Sequence, residues 1–125
     1  MKIGLLGFGT VGGGVYTQLL DQPGLDIKYI MCLQDISLPG ITRTGYEQML
    51  RDPEIDTIVE VMGGEHPAYE AVKAALSSGR NVISANKAMI SRHFPELMAL
   101  AREQGVSFRF TAAAGGGIPW LTTLE

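Results

Sequence analysis

The chain opens Lys2-Ile3-Gly4-Leu5-Leu6-Gly7-Phe8-Gly9-Thr10-Val11-Gly12-Gly13-Gly14, and the reading of this stretch decides the fold. Ile3 to Leu6 is a short apolar run of the kind a buried parallel strand makes, and it delivers the chain into Gly7-Phe8-Gly9-Thr10-Val11-Gly12, the spacing G-x-G-x-x-G. Gly7 permits a tight bend out of the strand. Gly9 lets backbone approach a pyrophosphate with no Cβ in the way, and Gly12 lets the following helix lie close to the sheet. The start of that helix then offers unpaired N–H groups to an anion. Among 16 glycines such a spacing is weak evidence by itself. It gains weight from a strand before it, a helix after it and an acidic residue ending the next strand about 20 residues on.

Those conditions are met when the chain is read outward from the turn. Val11, Val15, Leu19 and Leu20 recur at helical spacing, and Gln22-Pro23-Gly24 ends that helix. Ile27 to Leu33 reads as a second buried strand with Gln34 and Asp35 at its end, where this kind of fold recognises an adenosine ribose. A carboxylate there hydrogen-bonds a ribose 2′-OH and repels a 2′-phosphate. With no Arg adjoining it, Asp35 favours NAD over NADP; the competing reading is that Asp35 simply starts a turn. Ser37 to Arg43, containing Pro39 and Gly40, reads as a surface loop. Thr44 and Glu47 have capping-box spacing before a short helix over Gly45 to Arg51, closed by Asp52-Pro53.

Thr57 to Met62 is a third strand, followed by Gly63-Gly64. Pro67 suits the first turn of a helix reaching Ser78, with Ala71, Val72, Ala75 and Leu76 facing the sheet and Gly79 at the C′ position. Asn81 to Ser84 forms the fourth strand and carries Ala85-Asn86-Lys87 to its end. Pro95 is expected to start an amphipathic helix burying Leu97, Met98, Leu100 and Ala101 and stopped by Gly105; Val106 to Thr111 is the fifth strand.

Strands alternating with helices predict a Rossmann-like, doubly wound α/β fold, its sheet mostly parallel and its helices on both faces. Ligands of such folds bind outside the carboxyl ends of the strands. Those ends carry Gly7 to Gly12, Asp35, Met62-Gly63-Gly64, Ser84 to Lys87 and Ala112 to Pro119.

A length of 125 residues and 46 % hydrophobic content fit one globular domain over residues 1–125. The net charge of −3 supplies no broad basic face, so no nucleic-acid partner is expected. Cys32 is the single cysteine, which excludes an intrachain disulfide and a thiol metal cluster, and it reads as a small buried hydrophobe. The chain enters a strand at once and has no apolar run near 18 residues, so neither a secretory signal nor a membrane span is expected and the location is read as cytoplasmic. His66 and His93 lack a second ligand at metal spacing and read as surface or capping histidines. Glu60, a carboxylate inside an apolar strand, calls for partners such as a neighbouring backbone N–H.

Gly7 to Gly12, Val59-Glu60-Val61-Met62-Gly63-Gly64, Ala85-Asn86-Lys87-Ala88 and Ala114-Gly115-Gly116-Gly117-Ile118-Pro119 resemble, in the same order, the successive motifs of the homoserine dehydrogenases. The resemblance spans nearly all of the chain but only the N-terminal nucleotide-binding part of that enzyme. It implies a nicotinamide cofactor, NAD or NADP, and interconversion of homoserine and aspartate semialdehyde in amino-acid biosynthesis. It places Gly7, Phe8, Gly9, Thr10, Val11 and Gly12 on the pyrophosphate, and Asp35, Gly63 and Gly64 along the dinucleotide. Ser84 and Lys87 would lie near the nicotinamide and the substrate. An ammonium at Lys87 gains charge-assisted hydrogen bonds from a dinucleotide, which offsets its unfavourable place at a helix start.

By the same resemblance, Gly115, Gly116, Gly117, Ile118 and Pro119 form the substrate-side loop, and residues 115–125 the hinge to a second domain. Three consecutive glycines cost backbone entropy, which argues against a passive loop. Carbonyls of Ala114, Gly116 and Ile118 would face a sodium ion. Thr111, however, stands where the family usually has glutamate, so no metal is assigned. Gln34 replaces an arginine common in the family, in accord with NAD. The family's catalytic lysine and its amine-binding carboxylates belong to the following domain, and no Lys follows Lys87, so no catalytic residue is assigned. The chain alone is expected to bind nucleotide and turn over little. Trp120, Leu121 and Leu124 offer a self-association surface, and hence a homo-oligomer, or fold back on the sheet. The alternative function is a non-catalytic NAD(P)-binding module in regulation or assembly; a weaker third is another dehydrogenase of similar architecture.

Overall fold

A computed structural model of the chain describes residues 1–7, 24–32, 38 and 40–110. In chain order the elements are β1 (Lys2–Leu6), β2 (Asp26–Met31), β3 (Thr42–Arg43), α1 (Tyr46–Met49), β4 (Thr57–Glu60), α2 (Ala68–Ser77), β5 (Asn81–Ser84), α3 (Lys87–Gln104) and β6 (Phe108–Phe110). The strands form one sheet of order β3-β2-β1-β4-β5-β6, and every pairing is parallel. Ile3 of β1 lies opposite Ile27 of β2 and Thr57 of β4, which puts the first strand of the chain in the middle of the sheet.

Central parallel strands need apolar residues on both faces, because helices and loops cover each side. Leu6, Ile58 and Val82 therefore pack on one side with Ala71, Val72, Ala75 and Leu76 of α2 and Met89, Leu97 and Ala101 of α3. Ile3, Leu5, Ile27, Ile30, Val59 and Ile83 form the core on the other side. The helix expected over 11–20 lies outside the described residues.

Several expectations hold closely. The fourth strand falls on Asn81–Ser84, and α2 buries Ala71, Val72, Ala75 and Leu76 before Gly79 turns at φ +83°. Others are corrected. The expected loop Ser37–Arg43 ends in a strand, since β3 pairs Thr42 with Tyr29 and Arg43 with Ile30, making six strands rather than five. Two residues are too few to leave a periodic signal. The Thr44–Glu47 capping box does not form. Gly45 is the N-cap of α1, and the Thr44 N–H instead donates to Ile30 O at 3.0 Å, which holds Thr44 to β2.

The last helix starts at Lys87, eight residues before Pro95, which sits inside α3. Asn86 accounts for the earlier start: its Oδ1 accepts the Met89 N–H at 3.2 Å, an N-cap bond. Along α3, Met89, Ile90, Leu97 and Ala101 are buried, while Met98 and Leu100 are only half-buried. Strands β2 and β4 each end two residues earlier than expected, at Met31 and Glu60, and Cys32 is half-buried against the second core.

Candidate functional site

Because all six strands run parallel, their carboxyl ends share one edge. Consecutive connections depart in opposite directions on the two sides of β1: the chain goes to β2 and β3 on one side and to β4, β5 and β6 on the other. The crevice left between the ends of β1 and β4 is the switch point at which such sheets bind ligands.

Gly7 sits at that point with φ +101°. A Cβ here would meet Met62 Cγ at 3.1 Å and the Met62 N and Val61 C backbone atoms at 3.2 Å. The Gly7 N–H donates to Met31 O at 2.7 Å, and the Val61 N–H donates to Leu6 O at 2.9 Å. The exit from β1 is thus clamped between the ends of β2 and β4. Gly63 and Gly64 follow β4, and a Cβ on either would enter open space, with Gly64 at φ +82°.

Beneath these glycines lies a buried polar network. Glu60, wholly buried at the end of β4, accepts hydrogen bonds from the Met62 N–H (2.9 Å), the Ser84 hydroxyl (2.7 Å) and Asn86 Nδ2 (3.2 Å). Ser84 Oγ accepts the Asn86 N–H at 3.1 Å, and Asn86 Nδ2 also donates to Gly64 O at 2.6 Å. The expected partner of Glu60 is therefore found, together with two more. Burial pushes the Glu60 carboxyl above the usual carboxylate range, and its three neutral donors pull only partly the other way.

Ser84 lies on the ligand edge with its hydroxyl committed to this network, whereas Lys87 is exposed at the first turn of α3 and its ammonium forms no ion pair among the described residues. Asn86 is the residue whose part the sequence reading missed. It stands directly before the apolar positions Met89 and Ile90, and an Asn in that place is an N-cap signal.

The loop after Gly64 is tied to α3 from a second direction. His93 Nε2 and Glu65 Oε2 share a hydrogen bond of 2.6 Å, and the half-buried His93 ring stacks on Tyr69 with centroids 3.9 Å apart. His66 is exposed and bonds Glu70 through Nδ1 at 2.7 Å. That bond raises the His66 pKa, and the bond to His93 lowers that of Glu65. Among the described residues no group of three or more His, Cys, Asp or Glu has an arrangement that would hold a metal ion.

Of the residues expected along the ligand edge, Gly7, Gly63, Gly64, Ser84 and Lys87 are brought to it. Phe8, Gly9, Thr10, Val11, Gly12, Gln34, Asp35, Thr111 and Ala114 to Pro119 lie outside the described residues, as do Trp120, Leu121 and Leu124.

A parallel sheet in the order 3-2-1-4-5-6 with a positive-φ glycine at the switch point defines the class: a doubly wound, dinucleotide-binding type of domain. Comparison with known proteins narrows it. The family model for the NAD-binding domain of homoserine dehydrogenase matches residues 7–111, and the chain belongs to that family. The homoserine dehydrogenase of Pseudomonas aeruginosa is 37 % identical and that of Synechocystis sp. 36 % identical, each aligned over 100 % of this chain and 32 % of the relative. The crystal structure of a homoserine dehydrogenase from Thiobacillus denitrificans superposes with a TM-score of 0.79 at 33 % identity, covering 99 % of this chain and 32 % of that one. The chain thus spans about a third of the length of these relatives. Among the described residues no helix is long and apolar enough to cross a membrane.

Proposed function

We propose that this chain holds a nicotinamide dinucleotide across the carboxyl edge of its sheet, as the nucleotide-binding part of an oxidoreductase that interconverts homoserine and aspartate semialdehyde. The observation that carries the reading is Gly7, held at φ +101° against the Val61–Met62 backbone at the switch point. Only a residue without a Cβ fits there, which lets β1 turn tightly against the end of β4 and into the glycine-rich stretch that would receive a phosphate group. Gly63 and Gly64 keep the next strand end equally bare.

In this reading Gly7 and the turn from Phe8 to Gly12 receive the pyrophosphate, Asp35 faces the adenosine ribose, and Gly63 and Gly64 lie along the dinucleotide. Lys87 offers an ammonium to the nicotinamide end, where a charge-assisted hydrogen bond rewards it. Ser84 acts through Glu60 and Asn86 by fixing the strand ends on which the ring would rest. The bound nicotinamide supplies hydride transfer. The residues 115 to 119 lead toward the substrate, whose remaining contacts fall in the part of the relatives that this chain does not span. The 125 residues alone accordingly bind nucleotide without turning over, act without a nucleic-acid partner and work in the cytoplasm.

Calorimetric titration of the chain with NAD+, NADH, NADP+ and NADPH tests the binding, with dissociation constants well below about 1 mM expected. Failure of all four to bind more tightly than that would overturn the proposal. Homoserine-dependent reduction of either oxidised cofactor by the isolated 125 residues would overturn the assignment of the missing contacts to the rest of the enzyme.

A further inference from the structure

Among the described residues, Glu60 is the one ionisable side chain buried out of reach of solvent. It stands at the carboxyl end of β4, beside Leu6 of β1 and Ser84 of β5. Its three partners, the Met62 N–H, the Ser84 hydroxyl and Asn86 Nδ2, are all neutral, and no cation among the described residues balances it. The titratable groups on the elements around it are engaged elsewhere, Glu65 with His93, His66 with Glu70 and Tyr69 with Glu96, while Lys87 is exposed. None of them contributes to the upward shift of the Glu60 carboxyl, which burial causes. A carboxylate without a counter-charge in an apolar interior is costly, and an amide of the same shape would serve the same three partners. The charge itself therefore calls for a role beyond holding the strand ends.

We infer that the charge of Glu60 sets which oxidation state of the nicotinamide dinucleotide this site prefers, the carboxylate favouring the oxidised form and the carboxylic acid the reduced one; this rests on the nucleotide reading above. The two forms differ by one positive charge, which the oxidised ring carries. In that reading Ser84 stands at the nicotinamide end, and Ser84 Oγ lies 2.7 Å from Glu60 Oε1. An ionised Glu60 attracts a cationic ring, and a protonated Glu60 does not. Two unit charges even about 10 Å apart, in surroundings of effective dielectric about 20, change an equilibrium constant by about tenfold. Lys87 offers no comparable lever, because it is exposed and screened by solvent and salt. By linkage, a rise in pH shifts the preference toward the oxidised dinucleotide, and the reduced one is bound with the larger uptake of protons from solvent.

The test is calorimetric titration of NAD+ and NADH, between about pH 5.5 and about pH 9, into the wild-type chain, Glu60→Gln and Ser84→Ala, with circular dichroism to establish the fold of each. In the wild type the ratio of the NADH to the NAD+ dissociation constant is expected to rise by about threefold or more with pH. In Glu60→Gln it should stay level, near the wild-type ratio at low pH. Ser84→Ala removes a donor that favours the charged carboxylate, so its rise should move to higher pH. That variant decides the matter where Glu60→Gln does not fold, and a rise left at the wild-type pH overturns the inference. A level ratio in the wild type, or one that rises equally in Glu60→Gln, also overturns it while nucleotide binding stands. A wild-type chain that binds neither dinucleotide overturns both.

Discussion

Gly7 and Glu60 show how much of the ligand edge depends on single side chains or their absence. Alanine at position 7 has to adopt φ +101° with its Cβ about 3.2 Å from the backbone of Val61 and Met62, neither of which can swing aside. Gly7→Ala should lower unfolding free energy by about 1–3 kcal/mol, seen as a reduced urea midpoint. An unchanged midpoint would contradict the clamp described for this residue. At Glu60 the effect is one of charge. Burial holds its folded pKa above the unfolded value, so its contribution is most favourable below the ordinary glutamate pKa and is lost as pH rises through the folded one. Glu60→Gln retains all three partners once the Ser84 hydroxyl turns to accept, and it carries no charge to desolvate. Relative to wild type the variant should gain stability as pH rises above about 4 in urea titrations; a difference that stays constant with pH would refute this account of Glu60.

At the scale of elements, Asn86 both starts α3 and ties it to the β4 loop, which His93 and Glu65 hold from a second direction. Asn86→Ala removes the N-cap acceptor and strips the Gly64 carbonyl of its donor, so a loss of about 2 kcal/mol or more is expected. Asn86→Ser restores a capping hydroxyl but does not reach Gly64, and it should recover only the capping part. Equal stability of the two variants would show that the cap contributes nothing, and a serine variant as stable as the wild type that the Gly64 bond contributes nothing. The same helix shows why some elements are readable and others are not. Asn81–Ser84 and α2 announce themselves through β-branched residues and through Ala71, Val72, Ala75 and Leu76 at helical spacing. The true start of α3 is masked by Lys87-Ala88 and the polar Ser91-Arg92-His93, and Pro95 imitates a first-turn proline inside a helix that local rules would break. β3 was unreadable for a different reason: its two residues are a strand only because β2 offers them an edge.

For the whole molecule, the doubly wound, parallel architecture follows from the alternation of strands and helices visible in the residues, whereas the order β3-β2-β1-β4-β5-β6 is set by the pairing of the strands. The candidate site was legible where glycines mark strand ends, at Gly7, Gly63 and Gly64. It was not legible where a side chain from one strand serves the end of another, as with Arg43 on Cys32 and Asn86 on Gly64, because such ties belong to the pairing and not to any local pattern. The order also predicts how the sheet opens. Amide hydrogen exchange should be slowest at Leu5 and Val59 in the two central strands and faster at Phe110 on an edge, where one side of the strand lacks a neighbouring strand among the described residues. Comparable protection at Phe110 and Leu5 would count against it. Finally, the central position of β1 has a consequence for biosynthesis. β1, made before both of its partners, pairs with residues near 26 and near 57, and Gly7 is clamped only when Met31 and Val61 are both in hand. Everything between β1 and Val61 must therefore leave the ribosome before β1 has both neighbours, and in that interval Ile3, Leu5 and Leu6 are open to the wrong partners. A chain built this way folds late and nonlocally, and nascent copies should be the ones that chaperones hold.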